Sequence, residues 1–295
     1  MLAVSQGAHL VLPKEFLPGT TALMVPKTSD GRVLFGIPWH DRLILGTTDG
    51  EVPEAVEEPR IQEDEIAFIL SEAGRYLARD PVESDVLSCY AGLRPLVKAG
   101  HASSTAGLSR EHTLLVSATG LVTITGGKWT TYRRMGEDCV NRVSEIGGYP
   151  DVPTKTGALF LHGSSTAADI FLPPTHLAVY GTDRAKLQEL ASSEPGLGTL
   201  LHPRLPYLQA EVVWAVRQEM ARTVEDVLAR RTRALLLDAS AAAEAAPRVA
   251  EILARELHQD QGWQKEQIES FRTVAKIYQL RGTTTRAAAP ANPDK

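Results

Sequence analysis

Cysteine is scarce: Cys89 and Cys139 are the only two in a chain of 295 residues. They lie far apart and make no metal-ligand spacing, so they read as structural thiols in a reducing compartment. Basic excess is also missing. Lys and Arg total 31 against 36 Asp and Glu, a net charge of −5, which argues against a nucleic-acid partner. Any anion site must then be a local basic cluster. No window approaches 18 uninterrupted apolar residues, so no membrane-spanning helix is expected. The opening "MLAVSQGAHLVLPKEF" has no basic n-region and does not read as a signal peptide. Both common nucleotide fingerprints are absent. Where a P-loop needs G-x-x-x-x-G-K-[ST], Val122 replaces the first glycine and Trp129 the hydroxyl residue. "GLGTLL" from Gly196 lacks the third glycine of G-x-G-x-x-G and follows no strand.

What is present fits a soluble globular chain, 43% hydrophobic and 23% charged. The first 49 residues are strand-rich. "AHLVLP", "TALMVP", "GRVLFGIPW" and "RLILGTTD" are short apolar runs separated by turn chemistry, and an antiparallel meander is expected. Asp30-Gly31 signals one hairpin and "WHDR" the next tight turn. The acidic loop "GEVPEAVEEPR" follows as a solvated connector. "EDEIAFILSEAGRYLAR" carries Ile66, Ile69, Leu70, Ala73 and Leu77 on one face, which predicts a helix over 63–78. "SDVLSCYAGLRPL" reads as a strand and "VKAGHASSTAGLSR" as a loop. Two further strands, Leu114–Val116 and Leu121–Ile124, then lead through a glycine pair into a helix from Thr130.

Beyond a loop-like stretch at 147–174 the pattern is helical. "DRAKLQELA" predicts a short helix. Val213, Val216, Met220, Val224 and Val227 form a stripe, and Thr223 with Asp226 suggests a second helix start near Arg222. "PRVAEILAREL" and "WQKEQIESFRTVAKIYQL" add two more. The tail from 283 is polar and rich in Ala and Pro, and is expected to be disordered.

Four stretches could carry chemistry. Gly126 and Gly127 offer bare backbone at a helix start, where free N–H groups favour negative charge. Arg94, between Gly92 and Pro95 at a strand end, could clamp an anion or simply pair with the acidic loop. Arg110 stands just before the strand that leads to the glycine pair. His9 lies in an apolar strand, where it could be a satisfied core histidine or a base.

The order of these stretches is more specific than any one of them. G-A-H-x-V-x-P around His9, then "IPW", "GTTD", "GLRPL", "SREHTL" and "TGGKWTTYR" resembles the FAD-dependent glycerol-3-phosphate dehydrogenases. The resemblance is strong over about residues 5–145, and "EVVWAVRQEMARTVEDVLARRT" extends it to that family's C-terminal domain. It implies an α+β fold: a substrate-binding sheet with a helix, the last strand–helix unit of an FAD-binding domain, and an all-α C-terminal domain. The expected divisions are 1–150, a linker at 151–174, the helical domain at 175–282 and a tail at 283–295.

The resemblance further implies FAD, with Gly126, Gly127, Lys128, Thr130 and Thr131 against the flavin ring. It implies glycerol 3-phosphate as substrate, held by Arg94, Arg110 and Lys128, with His9, Arg94 and Lys128 as catalytic residues and His9 as candidate base. Hydride would pass to flavin, dihydroxyacetone phosphate would form, and a quinone (or oxygen, in oxidase members) would take the electrons. The family's N-terminal glycine-rich βαβ unit is not found in this sequence, so a separate FAD-binding half or a homo-oligomer is an expected partner and the chain alone is expected to be inactive. Two other readings stay open: an inactive remnant or partner-binding module, and a related oxidase using Arg94 on a carboxylate substrate. The expected location is the cytoplasm, or the inner face of the cytoplasmic membrane.

Overall fold

The computed structural model describes residues 2–97, 111–164 and 176–280. The expected loop around Arg110, much of the linker and the tail lie outside them. The chain groups into two compact units. One comprises Met1–Gln6, Asp49–Val56 and Leu93–Ser164; the other comprises Gly7–Thr48, Glu57–Gly92 and Ser165–Lys295.

Six strands form the main sheet: β1 (Leu2–Pro13), β2 (Leu23–Val25), β3 (Leu34–Trp39), β4 (Arg42–Gly46), β5 (Gly50–Glu51) and β6 (Ser88–Val97). The order is β2-β3-β4-β1-β5, with β6 also paired to β1. The expected meander therefore holds only for β2-β3-β4. β1 does not neighbour β2. It lies antiparallel to β4, with His9 opposite Gly46 and Pro13 opposite Arg42. Nothing in the hydrophobic runs distinguishes these two orders, because each strand needs only an apolar neighbour. The turns were legible: Gly31 adopts φ +84°, and His40 and Asp41 both have positive φ in the β3–β4 turn.

β1 is longer than "AHLVLP" suggested, and Leu10, Val11 and Leu12 are all fully buried. Helix α1 (Glu63–Gly74) lays Ile66, Ile69 and Ala73 on the core formed by Ala8, Leu10, Leu12, Leu43 and Leu45. Burying a side chain such as Ile69 stabilises by about 1.5–3 kcal/mol. The helix starts where Glu65 reaches back to the Gln62 N–H, 2.9 Å away. It stops four residues short of 78; Leu77 still packs on the core, from the turn beyond the helix.

The helical region is α3 (Arg184–Ser193), α4 (Gln209–Glu219), α5 (Ala234–Leu237), α6 (Ala239–Leu257) and α7 (Gln261–Ala275). The break near Arg222 is present. Met220 ends α4 at φ +56°, so it leaves the expected stripe and is 76% exposed. Thr223 and Asp226 then form the reciprocal cap: the Asp226 N–H donates to Thr223 Oγ1 and the Thr223 N–H to Asp226 Oδ2, both at 3.0 Å. α6 begins eight residues before Pro247, because Asp238 caps it by accepting from the Ala241 N–H at 2.8 Å.

The first unit also holds the antiparallel pair β7 (His112–Val116) and β8 (Val122–Gly126), followed by a short 3-10 turn, Trp129–Thr131, and helix α2 (Tyr132–Gly147). α2 ends on Gly148 in the left-handed conformation, with the Tyr149 N–H donating to the Ser144 carbonyl at 2.9 Å.

Candidate functional site

The stretch Gly46-Thr47-Thr48-Asp49 is where the strand β4 stops, and three of its residues have separable jobs. Gly46 faces His9 across the ladder. A Cβ at this position would stand on the imidazole, 2.8 Å from Nε2, so only glycine leaves room for the ring. The ring also stacks on Tyr90, centroids 5.1 Å apart and planes within 13°. Burial pushes the Tyr90 phenol up to about 12, so it stays neutral at physiological pH. His9 thus packs against a bare backbone and a neutral aromatic.

Thr48 accepts the Ala8 N–H at 2.9 Å and donates to Glu65 Oε1 at 2.5 Å. Its hydroxyl ties β1, the end of β4 and the start of α1 together, and it is only 3% exposed. Asp49, in the first unit, accepts from Ser5 Oγ and from Arg94 Nη1, the latter at 3.3 Å. Arg94 and Asp49 side chains are 29% and 22% exposed. One acidic partner of Arg94 is Asp49, which stands between β4 and β5, immediately before the acidic loop.

Lys128, Trp129, Thr130 and Thr131 are exposed in the turn between β8 and α2. Gly126 and Gly127 have φ +77° and +80°, a conformation that side chains rarely tolerate. Below Gly127 the space is already taken: an added Cβ would collide with Met135 Sδ and lie 3.3 Å from the His112 Cβ. The Thr131 hydroxyl is occupied locally, accepting the Lys128 N–H at 3.2 Å and donating to the Lys128 carbonyl at 2.9 Å. His112 is bonded through Nε2 to Asp138 at 3.0 Å, which fastens the start of β7 to α2.

Gly126, Gly127, Lys128, Thr130 and Thr131 therefore share one turn of the first unit. Arg94 belongs to the same unit, His9 to the other, and Arg110 lies outside the described residues. Sequence reading quoted the Gly-Thr-Thr-Asp stretch as a motif but did not assign its residues; Gly46, Asp49, Ser5 and Tyr90 were missed. The available signal was a glycine and an acidic residue bracketing two hydroxyls directly after an apolar run. Cys89 is buried, its thiol pushed up to about 12 by that burial, consistent with a structural role. Among the described residues no group of three or more His, Cys, Asp or Glu could hold a metal, and no helix is long and apolar enough to cross a membrane.

Comparison with known proteins assigns the chain. Residues 1–133 match the family described as FAD dependent oxidoreductase. Residues 158–267 match the C-terminal domain of alpha-glycerophosphate oxidase. The mitochondrial glycerol-3-phosphate dehydrogenase of Homo sapiens is 38% identical over 91% of this chain and 39% of its own length. The Arabidopsis thaliana mitochondrial enzyme SDP6 is 36% identical over 94% of this chain and 48% of its own. The X-ray structure of the glycerol-3-phosphate dehydrogenase from Bacillus halodurans complexed with FAD superposes with a TM-score of 0.77 at 26% identity, covering 94% of this chain and 57% of that one. The chain thus spans 39–48% of the length of these two curated relatives. On the ordered motifs, the two matched domains and these relatives, the chain belongs to the FAD-dependent glycerol-3-phosphate dehydrogenase family.

Proposed function

We propose that the chain is the substrate-binding portion of an FAD-dependent glycerol-3-phosphate dehydrogenase, oxidising glycerol 3-phosphate to dihydroxyacetone phosphate. The observation that carries this reading is the Gly126-Gly127-Lys128 turn. Two left-handed glycines put bare, half-buried backbone just before the short 3-10 turn that leads into a 16-residue helix. That fits the edge of a flavin ring: no Cβ intervenes, and the positive end of α2 favours the negative charge of a reduced flavin. FAD, when bound, supplies the acceptor for a hydride from C2 of the substrate. Lys128 is exposed beside that backbone and, with Arg94 and Arg110, would supply the cations a phosphate dianion requires. His9, with its ring plane set by Gly46 and Tyr90, would accept the C2 hydroxyl proton as a neutral imidazole. Convergence of these four residues in one cleft belongs to the proposal, as does the division at 151–174.

The chain carries no G-x-G-x-x-G fingerprint, so the pyrophosphate and ribose contacts would come from another FAD-binding segment or partner chain. Two features of the first unit support such a partner. Val140 and Val143 of α2 are 64% and 43% exposed, and Trp129, in the turn before α2, is 85% exposed. The proposal extends to a quinone as electron acceptor and to a location in the cytoplasm or on the inner face of its membrane.

The test has two arms. Residues 1–295 are purified alone, their visible spectrum recorded and dye reduction assayed with glycerol 3-phosphate and added FAD. A colourless chain that gains flavin and turnover only with a family FAD-binding half supports the reading; a yellow chain with stoichiometric flavin and its own turnover overturns the need for a partner. In the flavin-loaded protein, Arg94→Ala should cost about 1.5–3 kcal/mol, at least about tenfold in kcat/KM. Unchanged kinetics would remove Arg94 from the site.

A further inference from the structure

We infer that Asp49 is the positioning residue for Arg94: a fixed carboxylate that orients the guanidinium, with Ser5 as its anchor. The inference rests on the reading of Arg94 as the substrate clamp, but the pairing itself is read from geometry alone.

Asp49 is immobilised from three directions. On its N-terminal side Thr48 is pinned by the Ala8 N–H and by Glu65. On its C-terminal side Gly50 and Glu51 are laddered to Gln6 and Ser5 of β1. Its own side chain receives the hydroxyl of Ser5, a residue with no exposed surface. Arg94 stands on the different strand β6 and has a long, rotamer-rich side chain. Left to itself, such a side chain loses rotamer entropy each time it must adopt one pose. A carboxylate built into the sheet removes much of that cost in advance.

The contact is a charge-assisted hydrogen bond. It engages Oδ1 of Asp49 and Nη1 of Arg94 at 3.3 Å, one edge of a planar group with five N–H donors. The usual stabilising role of a surface ion pair is a poor explanation. Pairs of this exposure contribute about 0–1 kcal/mol, which does not account for a buried serine and two pinned neighbours around one carboxylate.

A rival role has the opposite sign. If Asp49 merely competed with substrate for Arg94, removing its charge would tighten anion binding and leave turnover equal or higher. If it positions Arg94, removing the charge loosens the guanidinium's orientation and turnover falls while ground-state affinity changes little.

The experiment compares the full chain with Asp49→Asn, Asp49→Glu and Ser5→Ala. Each is modified with phenylglyoxal and the labelled arginines are mapped by peptide mass. Arg217, ion-paired with Glu256 in the helical region, is the internal reference for loosening of the whole fold. Asp49→Asn should raise Arg94 labelling, relative to Arg217, at least about threefold, with Ser5→Ala intermediate. In flavin-loaded protein Asp49→Asn should lower kcat at least about tenfold with KM for glycerol 3-phosphate shifted less than about threefold, and Asp49→Glu should recover part of the loss. Unchanged relative labelling of Arg94 in Asp49→Asn overturns the pairing. Tighter substrate binding with undiminished turnover overturns the positioning role in favour of competition. A wild-type protein without turnover counts against the proposed function, and the labelling arm then decides the pairing by itself.

Discussion

Helices α2 and α6 read alike as amphipathic segments, yet they are stabilised in different ways. α6 buries ten of its 19 residues, from Ala239 to Ala254, against α4, α5 and α7. Its alanines let neighbouring helices approach closely, so burial does the stabilising. α2 has 16 residues and buries none. It is held by the His112–Asp138 bond and Met135 under Gly127, by its own ion pairs, Arg133–Glu137 at 2.6 Å and Arg134–Asp138 at 3.0 Å, and by the left-handed cap at Gly148. The difference shows that a 3.6-residue apolar period specifies a face, not its cover. α6 has found its cover within the described residues; α2 presents Val140 and Val143 to solvent.

The largest expected effect breaks the comparison if it is wrong. Leu253→Ala in α6 removes a fully buried side chain and should destabilise the helical region by about 2–5 kcal/mol. Val140→Ala in α2 should stay within about 0.5 kcal/mol. Urea denaturation followed by circular dichroism measures both; similar losses would show that α2 is covered in the isolated chain. In the presence of a complementing FAD-binding half, the Val140 cost should rise.

A smaller effect separates the two modes of stabilisation. Each exposed pair on α2 contributes about 0.2–0.5 kcal/mol and is screened by salt. Raising the ionic strength from low to about 1 M should therefore speed amide exchange along α2 and leave α6 unchanged. Equal acceleration in both helices would contradict it.

The smallest effect lies outside both helices, at an exposed polar turn. Burial works against ionisation of Asp30, but hydrogen bonds from Arg32 and Thr28 outweigh it and hold the carboxyl at about 2, below its ordinary value of 3.8. Because the folded state binds this proton less readily, its contribution to stability is present above about pH 4 and is lost as the pH falls toward 2. Solvent screening keeps that contribution below about 1 kcal/mol. Carboxyl titration by NMR tests it; an unshifted Asp30 would remove the contribution.

The turn before α2 was legible because its chemistry is local. A glycine pair followed by Lys128 and two threonines announces a bare turn at a helix start, and the structure shows both glycines left-handed there. Thr223 with Asp226 announced a cap that forms as read. Met220 was misassigned because the stripe ran through a residue whose backbone leaves the helix. Asp49 and Ser5 were missed because their partners lie 44 or more residues away, and no spacing rule relates them.

The sequence by itself determined the elements, the turns between them and the family, since each rests on side-chain period, backbone preference or motif order within short windows. Only the tertiary structure decided that β1 lies beside β4, that Gly46 exists to admit the His9 ring, and that Arg94 leans on Asp49. Those are contacts between segments distant in sequence. Their choice depends on shape and hydrogen-bond satisfaction across the sheet, quantities that come into being only when the strands are laid side by side.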